Sequence, residues 1–124
     1  MTGQEIHGFE RLIVWQKSKE LCVLVYSHLQ ANKDFGFCSQ LQRASVSVMN
    51  NIAEGVGRKS RKELIRFLLI SQGSCSEVKS MLYLGRDLKY FSEEEFTITM
   101  DLADEVSKML TSFVHNLKLK SDNS

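Results

Sequence analysis

Residues 39–57 read SQLQRASVSVMNNIAEGVG, and the expected fold of the whole chain follows from this segment. Ser39 and Gln42 have the spacing of a capping box, in which a serine oxygen accepts the amide at N3 and the N3 side chain bonds back to the serine amide. Gly55 and Gly57 follow, and glycine is typical of helix ends. None of the 124 residues is proline, so no helix interior loses an amide donor. The segment therefore predicts a helix over residues 40–56.

Two further capping boxes divide the rest of the chain. Ser60 with Glu63 and Ser92 with Glu95 have the same spacing. Together with the apolar periodicity they predict four helices, at about residues 11–30, 40–56, 61–88 and 93–118. Short links between neighbours give an all-α, antiparallel up-down-up-down four-helix bundle over residues 9–120, between flexible tails at residues 1–8 and 121–124.

Small and aromatic residues give three local expectations. The third helix has a middle of small residues, including Ser71, Gly73 and Cys75, which predicts close approach of a neighbouring backbone there. Phe35 and Phe37, in the predicted loop before helix 2, should fold back onto the end of the bundle. Phe91 and Phe96 have the spacing of a hydrophobic staple at the start of helix 4.

Helix 2 has more apolar surface than one bundle needs. One stripe comprises Leu41, Ala44, Val48 and Ile52, and a second stripe about 115° away comprises Val46, Met49, Ala53 and Val56. Together they cover roughly 200° of the helix surface instead of the usual ~100°. This pattern predicts burial on two sides, and a subunit interface is the expected reason. The alternative is a helix sunk deep in its own bundle. The residues predicted at the oligomer interface are Val46, Met49, Asn50, Ala53, Glu54 and Val56.

The remaining face of helix 2 is a continuous polar stripe. It comprises Gln40, Arg43, Ser47, Asn50, Glu54 and Arg58, at steps of three and four residues. A solvated face, a hydrogen-bond ladder between subunits, and the lining of a channel or nucleic-acid groove all remain open.

A basic cluster straddles the predicted start of helix 3. Unpaired amides and the helix dipole add there to the positive potential around a phosphate. The alternative is a solvated turn whose charges aid solubility. The candidate nucleic-acid contacts are Arg43, Arg58, Lys59, Arg61, Lys62 and Arg66.

The sequence contains no established catalytic or metal-binding motif, so we expect no enzyme. Glutamate lies three residues before none of the three histidines, which excludes the Glu-x-x-His ligands of di-iron bundles, and no phosphate-binding loop motif occurs. Cys75 and His115 could form a nucleophile pair, although a core cysteine is the commoner role for such a position. We expect no cofactor, no metal and no small-molecule substrate.

Cysteine content and hydropathy favour a cytoplasmic protein. The chain has an odd number of cysteines, Cys22, Cys38 and Cys75, and no CxxC pair, which fits a reducing compartment. No apolar run approaches the roughly 18 residues that span a bilayer, so no membrane association is expected. The 16 Lys and Arg nearly balance the 15 Asp and Glu, and net charge alone predicts no partner.

Several short motifs resemble a known family. They are Phe9-x-x-Leu12-x-Val14-Trp15-Gln16-Lys17, Gln40-x-x-Arg43-Ala44-x-x-Ser47, Asn51-Ile52-Ala53-Glu54-Gly55, Glu63-x-x-x-Phe67-Leu68 and Gly73-Ser74. Over roughly residues 9–91 the chain resembles the four-helix-bundle proteins of intervening sequences in bacterial large-subunit ribosomal RNA genes. Their relatives include the accessory variability determinants of diversity-generating retroelements, which are pentameric barrels that bind a reverse transcriptase and its template RNA.

The resemblance implies a homopentamer and suggests RNA as a ligand. The first functional hypothesis is therefore a non-enzymatic, homopentameric nucleic-acid-binding accessory protein, with RNA or DNA and a reverse transcriptase as partners. The second hypothesis is a protein-interaction scaffold with no nucleic-acid affinity of its own, whose polar stripe on helix 2 binds another protein.

Overall fold

The structure is a computed structural model that describes residues 8–123, with side chains described as far as Lys120. A short 3-10 helix, Phe9–Arg11, precedes four α-helices, and the described residues contain no strand. The helices are α1 (Ile13–His28), α2 (Phe35–Val56), α3 (Arg61–Asp87) and α4 (Glu93–Asn123). The predicted all-helical architecture with four helices is confirmed.

The helices form a four-helix bundle in which each helix packs against its neighbours in chain order, and α1 closes against α4. Diagonal pairs make no comparable contact within the described residues. Ser47 of α2 bonds to Ser74 of α3, whereas Gly55 near the end of α2 packs on Phe67 near the start of α3, so these helices run antiparallel. The aliphatic core lies between all four helices.

The start of α2 differs from the prediction. The helix begins at Phe35, because Asp34 caps it by accepting the Phe37 amide on Oδ1 at 3.1 Å. Aspartate and serine are comparable caps, so local preference did not decide between Asp34 and Ser39. Burial decides between the two caps, since the earlier start places Phe37 and Cys38 in the core, where each is only 6% exposed. Ser39 is exposed inside the helix, and the prediction that it caps α2 is wrong.

The two phenylalanines before Cys38 behave differently from each other. Phe37 packs onto the end of the bundle, with its ring centroid 5.0 Å from that of Tyr90. Phe35 is 77% exposed, so the expectation that it also folds back is wrong. Both belong to the first turn of α2, where the two positions point in different directions.

Other helix bounds differ less. Helix α1 begins at Ile13 instead of residue 11, because Leu12 is extended and separates α1 from the 3-10 helix. Helix α3 ends at Asp87, one residue before the predicted end, and α4 continues to Asn123, beyond the predicted end at 118 and into the predicted C-terminal tail. The predicted N-terminal tail lies, except for residue 8, outside the described residues.

The two remaining capping boxes have different outcomes. Ser92 Oγ accepts the Glu95 amide and Glu95 Oε1 accepts the Ser92 amide, both at 3.0 Å, so this box is complete. Ser60 Oγ accepts the Glu63 amide at 3.0 Å, but the Glu63 carboxylate binds Arg66 instead of reaching back. The serine half of that prediction is therefore correct.

Small side chains in α3 do permit close packing, although not at every predicted position. Ser71 Oγ donates to the Val48 carbonyl at 2.7 Å, and Cys75 Sγ donates to the Ala103 carbonyl at 3.3 Å. Gly73 faces open space, so the expected close approach does not occur there. Gly55 in α2 and Gly85 in α3 are instead packed against neighbouring side chains.

Candidate nucleic-acid interface

The link between α2 and α3 forms a basic corner at one end of the bundle. The link consists of residues 57–60, Ser60 caps the 27-residue helix α3, and the corner comprises this link and the first turns of α3. Five of the six predicted contact residues lie at this corner, and all five side chains are exposed. They divide into two groups by what they contact.

Arg58 and Arg66 are both held in a cluster around Phe67. Arg58 forms an ion pair with Glu54 at 2.9 Å, and Arg66 donates two hydrogen bonds to Glu63, each at 3.2 Å. The guanidinium carbons of Arg58 and Arg66 lie 4.9 and 4.4 Å from the centroid of the Phe67 ring. We call these five residues the Phe67 cluster. Their carboxylates offset the charge of both arginines.

Within this cluster, Arg66 stabilises the ionised carboxylate of Glu63. The hydrogen bonds from Arg66 hold the pKa of Glu63 below its usual value, and the same contact raises the pKa of Arg66. Arg66 keeps its charge in any case, but two of its five N–H donors are directed to Glu63. The cluster therefore joins the end of α2 to the first turns of α3 and leaves little net charge for a ligand.

Lys59, Arg61 and Lys62 form the second group, which we call the corner cations. All three are exposed, and none makes an ion pair within the part of the chain that the structure describes. They flank the N-terminus of α3, where the helix dipole adds positive potential. The available positive charge of the corner therefore resides on these three residues.

Arg43 lies apart from the corner. It precedes Val56 by 13 residues on α2, which corresponds to about 20 Å along the helix axis. Its side chain lines two grooves, one between α2 and α3 and one between α1 and α2. The six predicted contacts thus do not form one continuous patch.

The two apolar stripes of α2 differ in burial. Leu41, Val48 and Ile52 of the first stripe are completely buried in the bundle. Val46, Met49 and Ala53 of the second stripe are only half-buried. Val56 packs against the core and lies beside Gly8.

Asn50 and Glu54, the polar members of the predicted interface, are exposed, and Glu54 is paired with Arg58. One subunit therefore covers the second stripe incompletely. Its role as an oligomer interface stays a prediction.

The polar stripe of α2 is not uniformly solvated. Ser47 Oγ bonds to Ser74 Oγ at 2.7 Å, and Asn51 Nδ2 donates to the Ser47 carbonyl at 2.9 Å and to Ser47 Oγ at 3.0 Å. Ser47 is thus part of the contact between α2 and α3. Sequence periodicity could not reveal this, because its partner on α3 is 27 residues away.

Cys75, His115 and His28 are the remaining side chains with possible catalytic or metal-binding chemistry. Burial raises the pKa of the Cys75 thiol to about 11, whereas His115 is exposed. His28 was not singled out by its sequence context, yet it lies between Thr99 Oγ1 at 2.9 Å and Glu95 Oε2 at 3.5 Å.

Within residues 8–123 no three His, Cys, Asp or Glu side chains are grouped as a metal site, and no helix combines the length and apolar character needed to cross a membrane.

Comparison with known proteins assigns the family. The family model described as 23S rRNA-intervening sequence protein matches residues 10–112, which include the corner, the grooves and most of the bundle. The chain belongs to this family. The resemblance to the intervening-sequence proteins is therefore confirmed, whereas the further link to retroelement accessory proteins stays a prediction.

A solved structure supports the same assignment. The chain is similar to a protein of unknown function from the S23 ribosomal protein family of Bacteroides thetaiotaomicron, with 27% sequence identity and a TM-score of 0.78. The match covers 82% of this chain and 98% of that one. A search of curated proteins finds no match.

Proposed function

We propose that this protein is a non-enzymatic, homo-oligomeric accessory protein that binds RNA through its corner cations. The observation that carries the proposal is the division of charge at the corner. Arg58 and Arg66 are occupied by carboxylates, while Lys59, Arg61 and Lys62 are exposed and have no such partner among the described residues.

Three cations at a helix N-terminus suit phosphate groups. The unpaired amides and the dipole of α3 add to their potential, and the phosphate backbone supplies most of the affinity in sequence-independent binding. Each phosphate contact to a single strand contributes about −0.7 to the slope of log K against log salt, so three contacts predict a slope of about −2 per subunit. Affinity from one corner alone is modest.

Oligomerisation would repeat the corner and increase the affinity through multivalency. The half-buried stripe of Val46, Met49 and Ala53 supports a contact between subunits, because one bundle leaves it partly uncovered. A pentamer is the assembly implied by the family resemblance. Partnership with a reverse transcriptase rests on the same resemblance and on nothing else.

The decisive experiment is charge reversal of the corner cations. The triple variant Lys59→Glu, Arg61→Glu and Lys62→Glu is compared with wild type by fluorescence anisotropy on a labelled single-stranded RNA, across a range of salt concentrations. We expect lost affinity and a salt slope reduced by about two.

A matched control reverses three exposed lysines of α4 that make no ion pair among the described residues, in the variant Lys108→Glu, Lys118→Glu and Lys120→Glu. It changes net charge by the same amount and should retain most of the affinity. Equal losses in both variants, or no loss in the first, would contradict the assignment. Absence of any salt-sensitive binding by wild type would favour the protein-interaction scaffold instead.

A further inference from the structure

A polar groove runs between α2 and α3. It has a volume of about 600 Å³ and is floored by Ala44. We call it the α2–α3 groove. Its polar side chains are Ser39, Gln40, Arg43, Ser47, Ser74 and Glu77.

The paired hydroxyl groups of Ser47 and Ser74 have one hydrogen to spare. Ser47 Oγ and Ser74 Oγ share a single hydrogen bond of 2.7 Å, so whichever donates, the other hydroxyl hydrogen is not used in that bond. Asn51 Nδ2 also donates to Ser47 Oγ, and its second contact to the Ser47 carbonyl fixes which end of the amide faces the serine. One hydroxyl donor is therefore available to a ligand.

The charged groups of the groove are also available. Arg43 and Glu77 are both exposed, and neither makes an ion pair within the described part of the chain. A carboxylate repels phosphate, so Glu77 does not suit the backbone of a nucleic acid. It does suit a base edge that presents N–H groups, while the five N–H donors of a guanidinium suit base oxygen and nitrogen acceptors.

We propose that the α2–α3 groove binds an unpaired guanine base of the RNA whose phosphates contact the corner cations. Guanine carries N–H donors at N1 and N2 for Glu77 and acceptors at O6 and N7 for Arg43 and the spare hydroxyl. Uracil has no amino group for the carboxylate. Cytosine offers its N4 amino group but lacks the paired donors, so the order of preference is guanine, then cytosine, then uracil.

The position of the groove fits this division between base and backbone contacts. Ser47 precedes the end of α2 by nine residues, about 14 Å along the axis, which corresponds to about four stacked base steps. None of Val46, Met49 and Ala53 lines the α2–α3 groove, although Val46 lines the neighbouring α1–α2 groove together with Arg43 and Ser47.

This inference rests on the proposed RNA binding, and the experiment separates the two. Wild type is titrated with a labelled uridine 10-mer and with the same 10-mer carrying one central guanosine. One good bidentate contact predicts a preference of about tenfold for the guanosine-containing strand. Glu77→Gln should remove most of that preference and leave affinity for the plain uridine strand unchanged. The control Glu20→Gln, at an exposed position of α1, should retain the preference for guanosine.

A second measurement titrates guanosine monophosphate into isotope-labelled protein and follows the backbone amide signals by NMR. Shifts at Ser47, Ser74 and Glu77 that are weaker with uridine monophosphate support the groove even if no RNA strand binds, an outcome that would sink only the proposed function. Binding of both 10-mers with equal affinity would overturn the guanine site while leaving the corner assignment intact. Failure of both RNA and mononucleotide to bind would overturn both.

Discussion

At the scale of single residues, the glycines of this protein have opposite roles that residue type alone does not distinguish. A methyl group added at Gly55 would lie 2.9 Å from Phe67 Cβ and 3.1 Å from Leu64 Cδ1. A methyl group added at Gly73 would meet nothing within 4 Å. From the sequence, Gly73 is among the small residues of α3 expected to pack closely, because a helical wheel shows a small side chain but not the distance to the next helix.

The two substitutions to alanine should therefore have opposite signs. Gly73→Ala should raise the free energy of unfolding by about 0.5–1 kcal/mol, because alanine loses less conformational freedom than glycine in a helix. Gly55→Ala should lower it by about 1–3 kcal/mol, because the added methyl forces Phe67 to shift. Urea denaturation monitored by circular dichroism measures both, and two stabilising substitutions would refute the packing of Gly55.

Residue-scale burial also predicts how the cysteines react. Cys75 is completely buried, and with its pKa raised to about 11 only on the order of one thiol in a thousand is ionised at pH 8. Cys22 and Cys38 are buried as well. We expect negligible labelling by Ellman's reagent in the native state and three reactive thiols per chain in denaturant. Rapid native labelling of the variant that keeps only Cys75 would contradict this.

At the scale of helices, the ends were predictable where the capping residues are unambiguous. Ser60 and Ser92 cap α3 and α4 as expected. No other capping side chain lies in the link before Ser60, and Asp87, five residues before Ser92, is the last residue of α3. The start of α2 was misplaced because Asp34 and Ser39 are both good caps. The choice between them depends on packing of Phe37 against Tyr90, a contact between positions distant in the chain. Local sequence carries no information about such a contact.

The cap of α2 makes stability depend on pH. Tyr90 donates to Asp34 Oδ2 at 2.6 Å and the Phe37 amide donates to Oδ1, and these bonds hold the pKa of Asp34 below its ordinary value. A lowered folded-state pKa means that the stabilisation is present above the unfolded pKa, near 3.9, and is lost as pH falls through the folded pKa.

The variant Tyr90→Phe should accordingly lose stability at pH 7 and show a shallower decline in stability below about pH 4. The measurement is the urea midpoint at a series of pH values from 7 to 3. Asp34→Asn, which keeps a capping oxygen but cannot ionise, serves as the comparison and should remove this component of the acid dependence. An unchanged acid profile in both variants would exclude Asp34 as its source.

At the scale of the whole molecule, the bundle was predictable and the assembly remains a prediction. Absence of proline, repeated capping signals and periodic apolar residues were sufficient for four helices in the correct order. The available charge of the corner was not predictable, because the pairing of Arg58 and Arg66 with carboxylates depends on how α2 meets α3 around Phe67. Of the six predicted contact residues, three are exposed cations at the corner, two are paired with carboxylates, and Arg43 lies in a groove.

Assembly gives a further test at this scale. Multi-angle light scattering should show wild type at a multiple of 14.2 kDa, and Val46→Asp, which places a charge in the half-buried stripe, should shift it toward the monomer. Val23→Asp provides the control, because Val23 is 62% exposed on α1 and outside the predicted interface. A wild type that is monomeric at micromolar concentration would refute the interface.

The Phe67 cluster has a consequence for how proteins of this kind diverge. The arginines that join α2 to α3 are different residues from the cations that face solvent, so mutations at Lys59, Arg61 and Lys62 are expected to be nearly neutral for folding. Natural selection can therefore change what the corner recognises without first compensating for lost stability. Homologues with the same scaffold would be free to acquire different cargoes.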